Sequence, residues 1–387
     1  MQRLAIITTH PIQYNAPFFK RLAERGEIAI KVFYTWGVAV LTEKFDPGFG
    51  KSIEWDVPLL EGYEYVFVRN VSQNQGSHHF QGIDNPSLVD DINAWGATAL
   101  LVYGWSLKSH LHALRYFKGK LPVYFRGDST IIDVQSPVKK LSRFVLLSWV
   151  YRHIDTAFYT GTHNYNYYRN FLVKKERLKL MPHAVDNEFF SSDDSLHCKA
   201  AQEWRNQLGI LPADIVFLFA GKLEEKKDPA ILVKAFKTLI SPTVHLVFAG
   251  DGPLENELKS TCEAIPNVHF VGFVNQMSMP TLYRLGDVFV LPSKGPGETW
   301  GLAINEAMAS GRAIIASSKC GGAIDLVKEG ENGFIFEAEN SDDLSLRMKT
   351  LLATPGLINR FRKSSRERVK DFSLEHNCAI LEKHMNC

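Results

Sequence analysis

The sequence predicts an α/β fold in which two doubly wound, Rossmann-like domains follow each other along the chain. Its 387 residues exceed what one ordinary hydrophobic core holds together. Short apolar runs rich in β-branched and aromatic residues alternate with helical patterns, which is typical of buried parallel strands. The alternation restarts at residue 215, so we expect a second sheet in the C-terminal half.

The expected strands are apolar runs bounded by Gly, Pro or polar residues. In the first domain they are RLAIITT (3–9), IAIKVFY (28–34), ATALLVYG (97–104), LPVYFRG (121–127) and DTAFYTG (155–161). In the second domain they are IVFLFAG (215–221), HLVFAGDG (245–252), VHFVGF (268–273), DVFVLPS (287–293), AIIAS (313–317) and GFIFE (333–337). Pro182 interrupts the pattern, so we place the join there and assign residues 1–182 and 183–370 to the two domains.

Composition restricts the class of protein. With 45% hydrophobic and 22% charged residues, the chain has ordinary globular composition. The five cysteines are scattered and form no CxxC pair, which favours reduced thiols in the cytoplasm over a disulfide framework or a zinc site. The N-terminal segment lacks the apolar core of a signal peptide, and no run reaches the ~18 apolar residues of a membrane span.

Charge is unevenly placed although the net charge is only +2. Residues 101–182 hold 14 Lys and Arg against 4 Asp and Glu, which favours an anionic partner for one face or a basic face that only aids solubility. Within this stretch, residues 137–153 read PVKKLSRFVLLSWVYRH. Such a helix could lie on an anionic membrane surface, or it could pack in the core between two strands.

Two loops that follow predicted strands of the second domain are candidate ligand sites, because open α/β sheets bind ligands there. Gly221 ends a strand, Lys222 follows at once, and Lys227 lies five residues later. Two ammonium groups would suit a diphosphate, whose negative charge grows as it departs, although a solvated charge run has the same appearance. The turn in AGDGPLENEL (249–258) lacks the third glycine of a dinucleotide fingerprint, which disfavours a nicotinamide-dependent enzyme.

A third loop, within residues 292–317, leads into a helix and carries Glu298 and Glu306. If both were helical, they would lie ~80° apart around the axis and ~12 Å apart along it, which disfavours a two-carboxylate hydrolase. If Glu298 lies in the loop and Glu306 in the second turn, the pair spans a nucleotide sugar, with Glu298 at the sugar and Glu306 at the ribose. The alternative for Glu298 is an acidic residue favoured at a helix N-terminus, and the alternative for Glu306 is a surface charge. Backbone N–H groups at the helix start would suit a phosphate, namely those of Thr299, Trp300 and Gly301.

The segment ETWGLAINE (298–306) resembles the E-x7-E motif of the retaining glycosyltransferases of family 4, which have the GT-B fold of two Rossmann-like domains facing a central cleft. The resemblance continues in order over the C-terminal half, through a Gly-Lys with a second Lys five residues on, AGDGPL, a strand ending in VGFV, LYRLGDVFVLPS, GETWGLAINEAMASGRAIIAS and CGGAIDLVKEGENGFIFE. The N-terminal His-Pro-Ile-Gln-Tyr segment (10–14) resembles a subset of the family.

The resemblance implies roles for individual residues. Lys222 and Lys227 would hold the donor diphosphate after Gly221, Glu298 would contact the transferred sugar, and Glu306 would contact the ribose. The wall for the nucleobase would be formed by Gly272, Phe273 and Val274. Residues 183–370 would form the donor domain and residues 1–182 the acceptor-side domain, with helices at about 371–387 packing back on the latter.

The N-terminal half departs from the common family pattern, so its site residues are separate hypotheses. We expect His10 and Gln13 to face the cleft. FRGDST (125–130) takes the place of the usual histidine, which makes Arg126 and Asp128 candidates for a role near the reacting sugar. The alternative for this pair is an aspartate that caps the next helix beside a surface arginine.

The resemblance implies a glycosyltransferase that moves a hexose or N-acetylhexosamine with retention. We expect a UDP-sugar, with a GDP-sugar as the alternative, and a hydroxyl of a glycan or lipid-linked sugar as acceptor in bacterial surface polysaccharide or glycan synthesis. No metal or other cofactor is expected, since no Asp-x-Asp motif follows a predicted strand. No nucleic acid is expected as a partner. The expected location is the cytoplasm, with contact at the inner face of the membrane. Alternatives are a sugar phosphorylase or nucleotide-sugar epimerase on this fold, and a non-catalytic nucleotide-binding partner protein.

Overall fold

The computed structural model describes residues 1–38, 45–46, 51–52, 55–133, 136–239 and 241–385. In this described part the strands are β1 (Arg3–Thr8), β2 (Ala29–Tyr34), β3 (Phe45–Asp46), β4 (Lys51–Ser52), β5 (Glu64–Phe67), β6 (Ala99–Tyr103), β7 (Val123–Arg126), β8 (Thr156–Tyr159), β9 (Leu178–Leu180), β10 (Ile215–Ala220), β11 (Val244–Ala249), β12 (Val268–Gly272), β13 (Val288–Leu291), β14 (Ala313–Ser317) and β15 (Gly333–Phe336). The α-helices are α1 (Ala16–Arg25), α2 (Leu88–Trp95), α3 (Lys108–Phe117), α4 (Pro137–Val150), α5 (Thr162–Asn170), α6 (Asn187–Ser191), α7 (Asp194–Gln207), α8 (Pro229–Phe236), α9 (Glu255–Cys262), α10 (Met279–Leu285), α11 (Leu302–Ala309), α12 (Ala323–Leu326), α13 (Ser341–Ala353), α14 (Leu357–Arg368) and α15 (Leu374–Met385).

The chain folds into two compact units. Unit 1 comprises Met1–Lys44, Pro58–His183 and Leu374–Cys387, and unit 2 comprises Phe45–Val57 and Ala184–Ser373. The sequence analysis placed all of residues 1–182 in one domain, whereas residues 45–57 group with unit 2. One described contact joins this segment to unit 2, since the Met277 N–H donates to Asp56 Oδ1 at 3.0 Å.

Unit 1 is built on one parallel sheet with the strand order β5-β2-β1-β6-β7-β8-β9. This is the order of a doubly wound fold, in which the winding reverses between β1 and β6. Leu4, Ile6 and Ile7 of β1 have no exposed surface, because helices cover both faces of the sheet. The C-terminal helix α15 belongs to this unit, and there Arg25 donates to both carboxylate oxygens of Glu382 at 2.7 Å.

Unit 2 has a second parallel sheet with the order β12-β11-β10-β13-β14-β15, which reverses between β10 and β13. Every residue of β11, β13 and β14 is buried, as expected for parallel strands that are almost entirely apolar. The prediction of two doubly wound α/β domains is therefore confirmed. In the described residues, no helix combines the length and apolar character that a membrane span needs.

Two strands of unit 1 were not predicted from the sequence. Both lie at sheet edges, where one side stays unpaired, so neither needs a continuous apolar run. β5 begins with exposed Glu64 and Tyr65, and β9 has three residues with Lys179 in its centre.

His110 of α3 is a fully buried histidine in unit 1. Its Nε2 lies 2.9 Å from Thr35 Oγ1, and its Nδ1 lies 3.0 Å from the Tyr103 carbonyl oxygen. Burial lowers the pKa of His110 to about 4. Between that value and the ordinary 6.5, the unfolded chain binds a proton here that the folded chain does not. This residue therefore makes folding less favourable as the pH falls through that range.

We expect wild type to lose about 2 kcal/mol more stability than His110→Gln between pH 7 and pH 5, since the variant lacks this linkage. Urea unfolding of both proteins at the two pH values measures the difference. His112→Gln, at an exposed position on the same helix, is the matched control and should follow wild type. Parallel pH profiles for wild type and His110→Gln would contradict the assignment.

Candidate functional site

The candidate site in unit 2 lies at the carboxyl edge of its sheet, where loops leave adjacent parallel strands. Backbone hydrogen bonds lock three of these loops together. The Gly221 N–H donates to the Ala249 carbonyl at 3.0 Å, the Gly250 N–H to the Gly272 carbonyl at 2.7 Å, and the Leu223 N–H to the Asp251 carbonyl at 2.9 Å. The sequence-predicted residues at the ends of β10, β11 and β12 therefore belong to one continuous edge.

Lys227 and Glu298 form the central contact of this edge. The Lys227 ammonium pairs with Glu298 Oε2, and Ser293 Oγ donates to the same oxygen at 2.9 Å. The two charged side chains are 18% and 10% exposed, so both are largely withdrawn from water. They come from loops after β10 and β13, which are neighbours in the sheet. The pair places a cation and a hydrogen-bond acceptor side by side, as a phosphate next to a sugar hydroxyl would require.

Ser293 is a site residue that the sequence analysis missed. It follows β13 and is fully buried, and its hydroxyl holds the Glu298 carboxylate in place. A polar residue directly after a buried parallel strand is a signal that could have identified it.

The loop that carries Glu298 is clamped by Gly321 and Gly322. The Gly321 N–H donates to the Glu298 carbonyl at 2.9 Å, and the Gly322 N–H donates to the Trp300 carbonyl at 2.8 Å. A Cβ atom on Gly321 would lie 2.0 Å from the Thr299 carbonyl oxygen, so the two backbones approach too closely for any other residue. This clamp fixes the position of Glu298 through its backbone.

The side chain of Trp300 belongs to the core of unit 2. It is 3% exposed, and its indole N–H donates to Asn305 Oδ1 at 2.7 Å. A ligand therefore has only the backbone of Trp300 to contact. Gly301, with φ of +91°, is the N-cap of α11, which begins at Leu302. Thr299 thus lies in the loop before the cap.

Glu306 lies in the second turn of α11, while Glu298 lies in the loop before it. Of the two arrangements considered for this pair, the loop-and-helix one is present. Glu306 is 3% exposed, and the Tyr283 hydroxyl donates to its Oε2 at 2.6 Å. A surface charge at this position is excluded by its burial.

The remaining donor-side positions follow β10 and β12. Lys222 is partly exposed and comes one residue after Gly221, which has φ of +156°. Gly272 ends β12 with φ of +71°, and the partly buried Phe273 and Val274 follow it. All five positions lie at the carboxyl edge of the sheet.

The candidates of unit 1 also follow carboxyl ends of strands, and Arg126 is the last residue of β7. It is 7% exposed and donates to the Met181 and Pro182 carbonyls at 2.6 and 3.2 Å. Burial lowers its pKa. The alternative of a surface arginine is therefore excluded. Arg126 anchors the chain segment that follows β9.

Asp128 lies two residues after β7, and its Oδ2 is 3.9 Å from His183 Nε2. Burial, followed by the charge of Arg126, lowers the pKa of His183 to about 4. The sequence analysis did not select His183, since this histidine follows an unpredicted strand. The His183 imidazole, which is neutral at pH 7, and the Asp128 side chain therefore share this edge of unit 1.

His10 and Gln13 follow β1. His10 Nδ1 lies 2.9 Å from Thr9 Oγ1, and its ring meets the ring of Trp36 edge-on, with centroids 5.4 Å apart. Burial lowers the pKa of His10. Gln13 is partly exposed in the turn before α1.

Part of unit 2 is similar to a known family. Residues 200–368 match the family described as glycosyl transferases group 1. The matched segment lies wholly within unit 2. It includes every donor-side candidate, from Gly221 to Glu306.

The curated proteins that are similar to this chain have several different names. The chain is 35% identical over 184 residues to Spore coat protein SA of Bacillus subtilis, covering 44% of this chain and 48% of that one. It is 30% identical over 200 residues to Sulfoquinovosyl transferase SQD2 of Arabidopsis thaliana, covering 51% and 37%. The similarity to the D-inositol 3-phosphate glycosyltransferase of Rhodococcus jostii is 27% over 194 residues, covering 46% and 42%. The chain thus spans about half the length of these relatives or less.

Solved structures match the whole chain. Sucrose-phosphate synthase from Thermosynechococcus elongatus matches with a TM-score of 0.73 at 18% identity, covering 100% of this chain and 98% of that one. Anabaena Alr3699/HepE in complex with UDP and glucose matches with a TM-score of 0.72 at 16% identity, covering 100% of both. At such identities the likeness concerns the fold, and the predicted GT-B class is confirmed.

Proposed function

We propose that this chain is a retaining glycosyltransferase whose unit 2 binds a nucleotide diphosphate sugar. The observation that carries the proposal is the Lys227–Glu298 pair with Ser293, at the carboxyl edge of a parallel sheet within a glycosyl transferases group 1 domain. Parallel sheets of this topology bind ligands at that edge. A charged ligand that binds there can replace one partner of this largely buried ion pair.

The proposed chemistry uses this pair at the two ends of the bond that breaks. The Lys227 ammonium leaves Glu298 and pairs with the donor diphosphate, which Lys222 also contacts. Glu298 then accepts hydrogen bonds from hydroxyl groups of the sugar. The bond from the anomeric carbon to the diphosphate oxygen breaks as an acceptor hydroxyl oxygen forms the new bond on the same face. The acceptor proton passes to the leaving diphosphate. Each ammonium group would stabilise the developing charge by ~2–4 kcal/mol.

The proposed donor is a UDP-sugar carrying a hexose or N-acetylhexosamine, with a GDP-sugar as the alternative. Support comes from Alr3699/HepE, which has this fold and whose structures contain UDP and UDP-glucose. The nucleobase would lie against Phe273 and Val274, and the ribose would reach Glu306. The proposed acceptor is a hydroxyl of a glycan or lipid-linked sugar in bacterial surface polysaccharide synthesis, reached from the cytoplasm at the inner face of the membrane.

The test is a screen of UDP- and GDP-sugars for nucleotide release, with the released sugar identified by NMR. We expect one UDP-sugar to be hydrolysed slowly without acceptor, and the first-formed product to keep the anomeric configuration of the donor. Inorganic phosphate is added in a parallel reaction, because stimulation by phosphate alone would indicate a phosphorylase. An inverted anomeric centre would contradict the proposal of retention.

Transfer should not depend on a divalent cation, since ammonium groups are proposed to balance the diphosphate charge. We expect rates in EDTA to stay within about twofold of the untreated rate. The measurement compares untreated enzyme, enzyme in EDTA, and EDTA-treated enzyme with excess Mg²⁺ or Mn²⁺. Loss of activity in EDTA that either metal restores would show that this expectation is wrong.

A further inference from the structure

Tyr283 donates a hydrogen bond to Glu306, which lies at the ribose end of the nucleotide in the proposed function. Tyr283 belongs to α10, and its hydroxyl lies 2.6 Å from Glu306 Oε2. This distance is within the range of hydrogen bonds from a hydroxyl to a carboxylate, which are stronger than those between neutral groups. Tyr283 has no exposed surface and Glu306 is 3% exposed, so water competes little for this hydrogen bond.

The ring of Tyr283 is held in place by two other aromatic rings. It meets the ring of Phe289 in β13 edge-on, with centroids 5.6 Å apart, and the ring of Phe190 in α6 with centroids 6.0 Å apart. Phe289 is fully buried and Phe190 is 2% exposed. Side chains in a close-packed interior occupy rotamer minima, so the Tyr283 hydroxyl is presented from a fixed position.

The hydrogen bond from Tyr283 sets the orientation of the Glu306 carboxylate. The acceptor sites of a carboxylate lie on its two oxygens, so holding one oxygen restricts the directions in which the whole group accepts. The backbone of Glu306 is fixed as well, because it lies in α11 and its carbonyl accepts from the Ser310 N–H at 2.9 Å. A binding residue whose rotamer is locked by packing and by a supporting hydrogen bond is selective for the ligand groups that match its geometry.

We propose that Tyr283 is a positioning residue that makes the nucleotide site of unit 2 selective for ribose over a sugar that lacks the 2′ and 3′ hydroxyl groups. Tyr283 is buried and does not touch the nucleotide. It holds Glu306 in the orientation that accepts hydrogen bonds from the ribose hydroxyls. The inference rests on the proposed function, because it requires a ribonucleotide in unit 2 with its ribose at Glu306.

The experiment is calorimetric titration of the full chain with UDP and with 2′,3′-dideoxyuridine 5′-diphosphate. Wild type should bind UDP at least about tenfold more tightly, because the dideoxy form leaves the Glu306 acceptor unpaired. Tyr283→Phe should weaken UDP binding by roughly tenfold and leave binding of the dideoxy form within about twofold of wild type. A purely structural role would change both affinities equally. GDP and its dideoxy form are titrated in the same way, and the comparison uses the nucleotide that binds more tightly.

A second variant shows whether Tyr283 acts through Glu306. Glu306→Ala should lower the affinity for UDP to about that of the dideoxy form, and adding Tyr283→Phe should then change it by less than about twofold. Binding of the dideoxy form reports that each variant is folded. The matched control is Tyr151→Phe, which removes a buried tyrosine hydroxyl from unit 1 and should bind every nucleotide like wild type.

Several outcomes would overturn the positioning role and leave the proposed function standing. They are equal binding of UDP and its dideoxy form by wild type, an equal effect of Tyr283→Phe on both, and a full further loss when Tyr283→Phe is added to Glu306→Ala. A wild-type protein that binds neither UDP nor GDP would overturn the proposed function and this inference together.

Discussion

Replacing Lys222 and Lys227 together with alanine should reduce sugar transfer by on the order of 10⁴-fold or more. Each ammonium group is expected to act where negative charge develops on the leaving diphosphate, and one such donor is worth roughly 10²–10³ in rate. Affinity for the nucleotide diphosphate should fall as well. Transfer assays at saturating donor and calorimetric titration with UDP measure the two effects separately.

Loss of Lys227 also leaves the largely buried Glu298 carboxylate without its cation, so stability must be measured in parallel. Lys227→Met with Glu298→Gln removes both charges and separates a folding defect from a catalytic one. The control is Lys328→Ala with Lys370→Ala, which removes two lysines from exposed ion pairs that contribute little. Transfer by the Lys222/Lys227 variant within about tenfold of wild type would rule out the proposed diphosphate contacts.

Gly250→Ala should destabilise unit 2 by about 3 kcal/mol or more and weaken donor binding. A Cβ atom there would lie 2.0 Å from the Gly221 carbonyl oxygen, and Gly250 has φ of +125°. The obstructing atom is backbone and cannot rotate away, so the loops after β10 and β11 must separate. Lys222 is attached to the first of these loops. Chemical denaturation followed by tryptophan fluorescence, together with UDP titration, gives both effects.

Gly330→Ala is the matched control for the backbone conformation alone. Gly330 lies in unit 2 and has φ of +74°, and its added Cβ meets no atom within 4 Å. The expected loss of stability is therefore about 1–2 kcal/mol, from the left-handed conformation only. Equal losses for the two variants would show that the close approach at Gly250 has no energetic consequence.

The fold class and the order of the site loops could be read from the sequence. Parallel strands that are buried on both faces are near-continuous apolar runs, and β10 and β13 are such runs. Ligand sites in this fold follow the strands, so Lys227 and Glu298 could be selected by position. The edge strands β5 and β9 carry no such run and were missed.

The packing of the Trp300 and Arg126 side chains could not be read in the same way. Trp300 precedes a helix and Arg126 ends a strand, and the side chain of each is buried and bonded within its own unit, to Asn305 and to Met181. Burial depends on what packs against a residue, and those partners are set by the fold and not by neighbours in sequence.

By itself the sequence determined two doubly wound sheets and which loops lie at their carboxyl edges, because local apolar pattern decides which segments become buried parallel strands. Only the tertiary structure decided that Lys227 pairs with Glu298, 71 residues away, and that Ser293 holds the same carboxylate oxygen. It also decided that α4 lies mostly on the surface of unit 1, because only Leu147 and Val150 of its fourteen residues are buried. Such contacts join segments distant in the chain, and no local pattern specifies which of them meet.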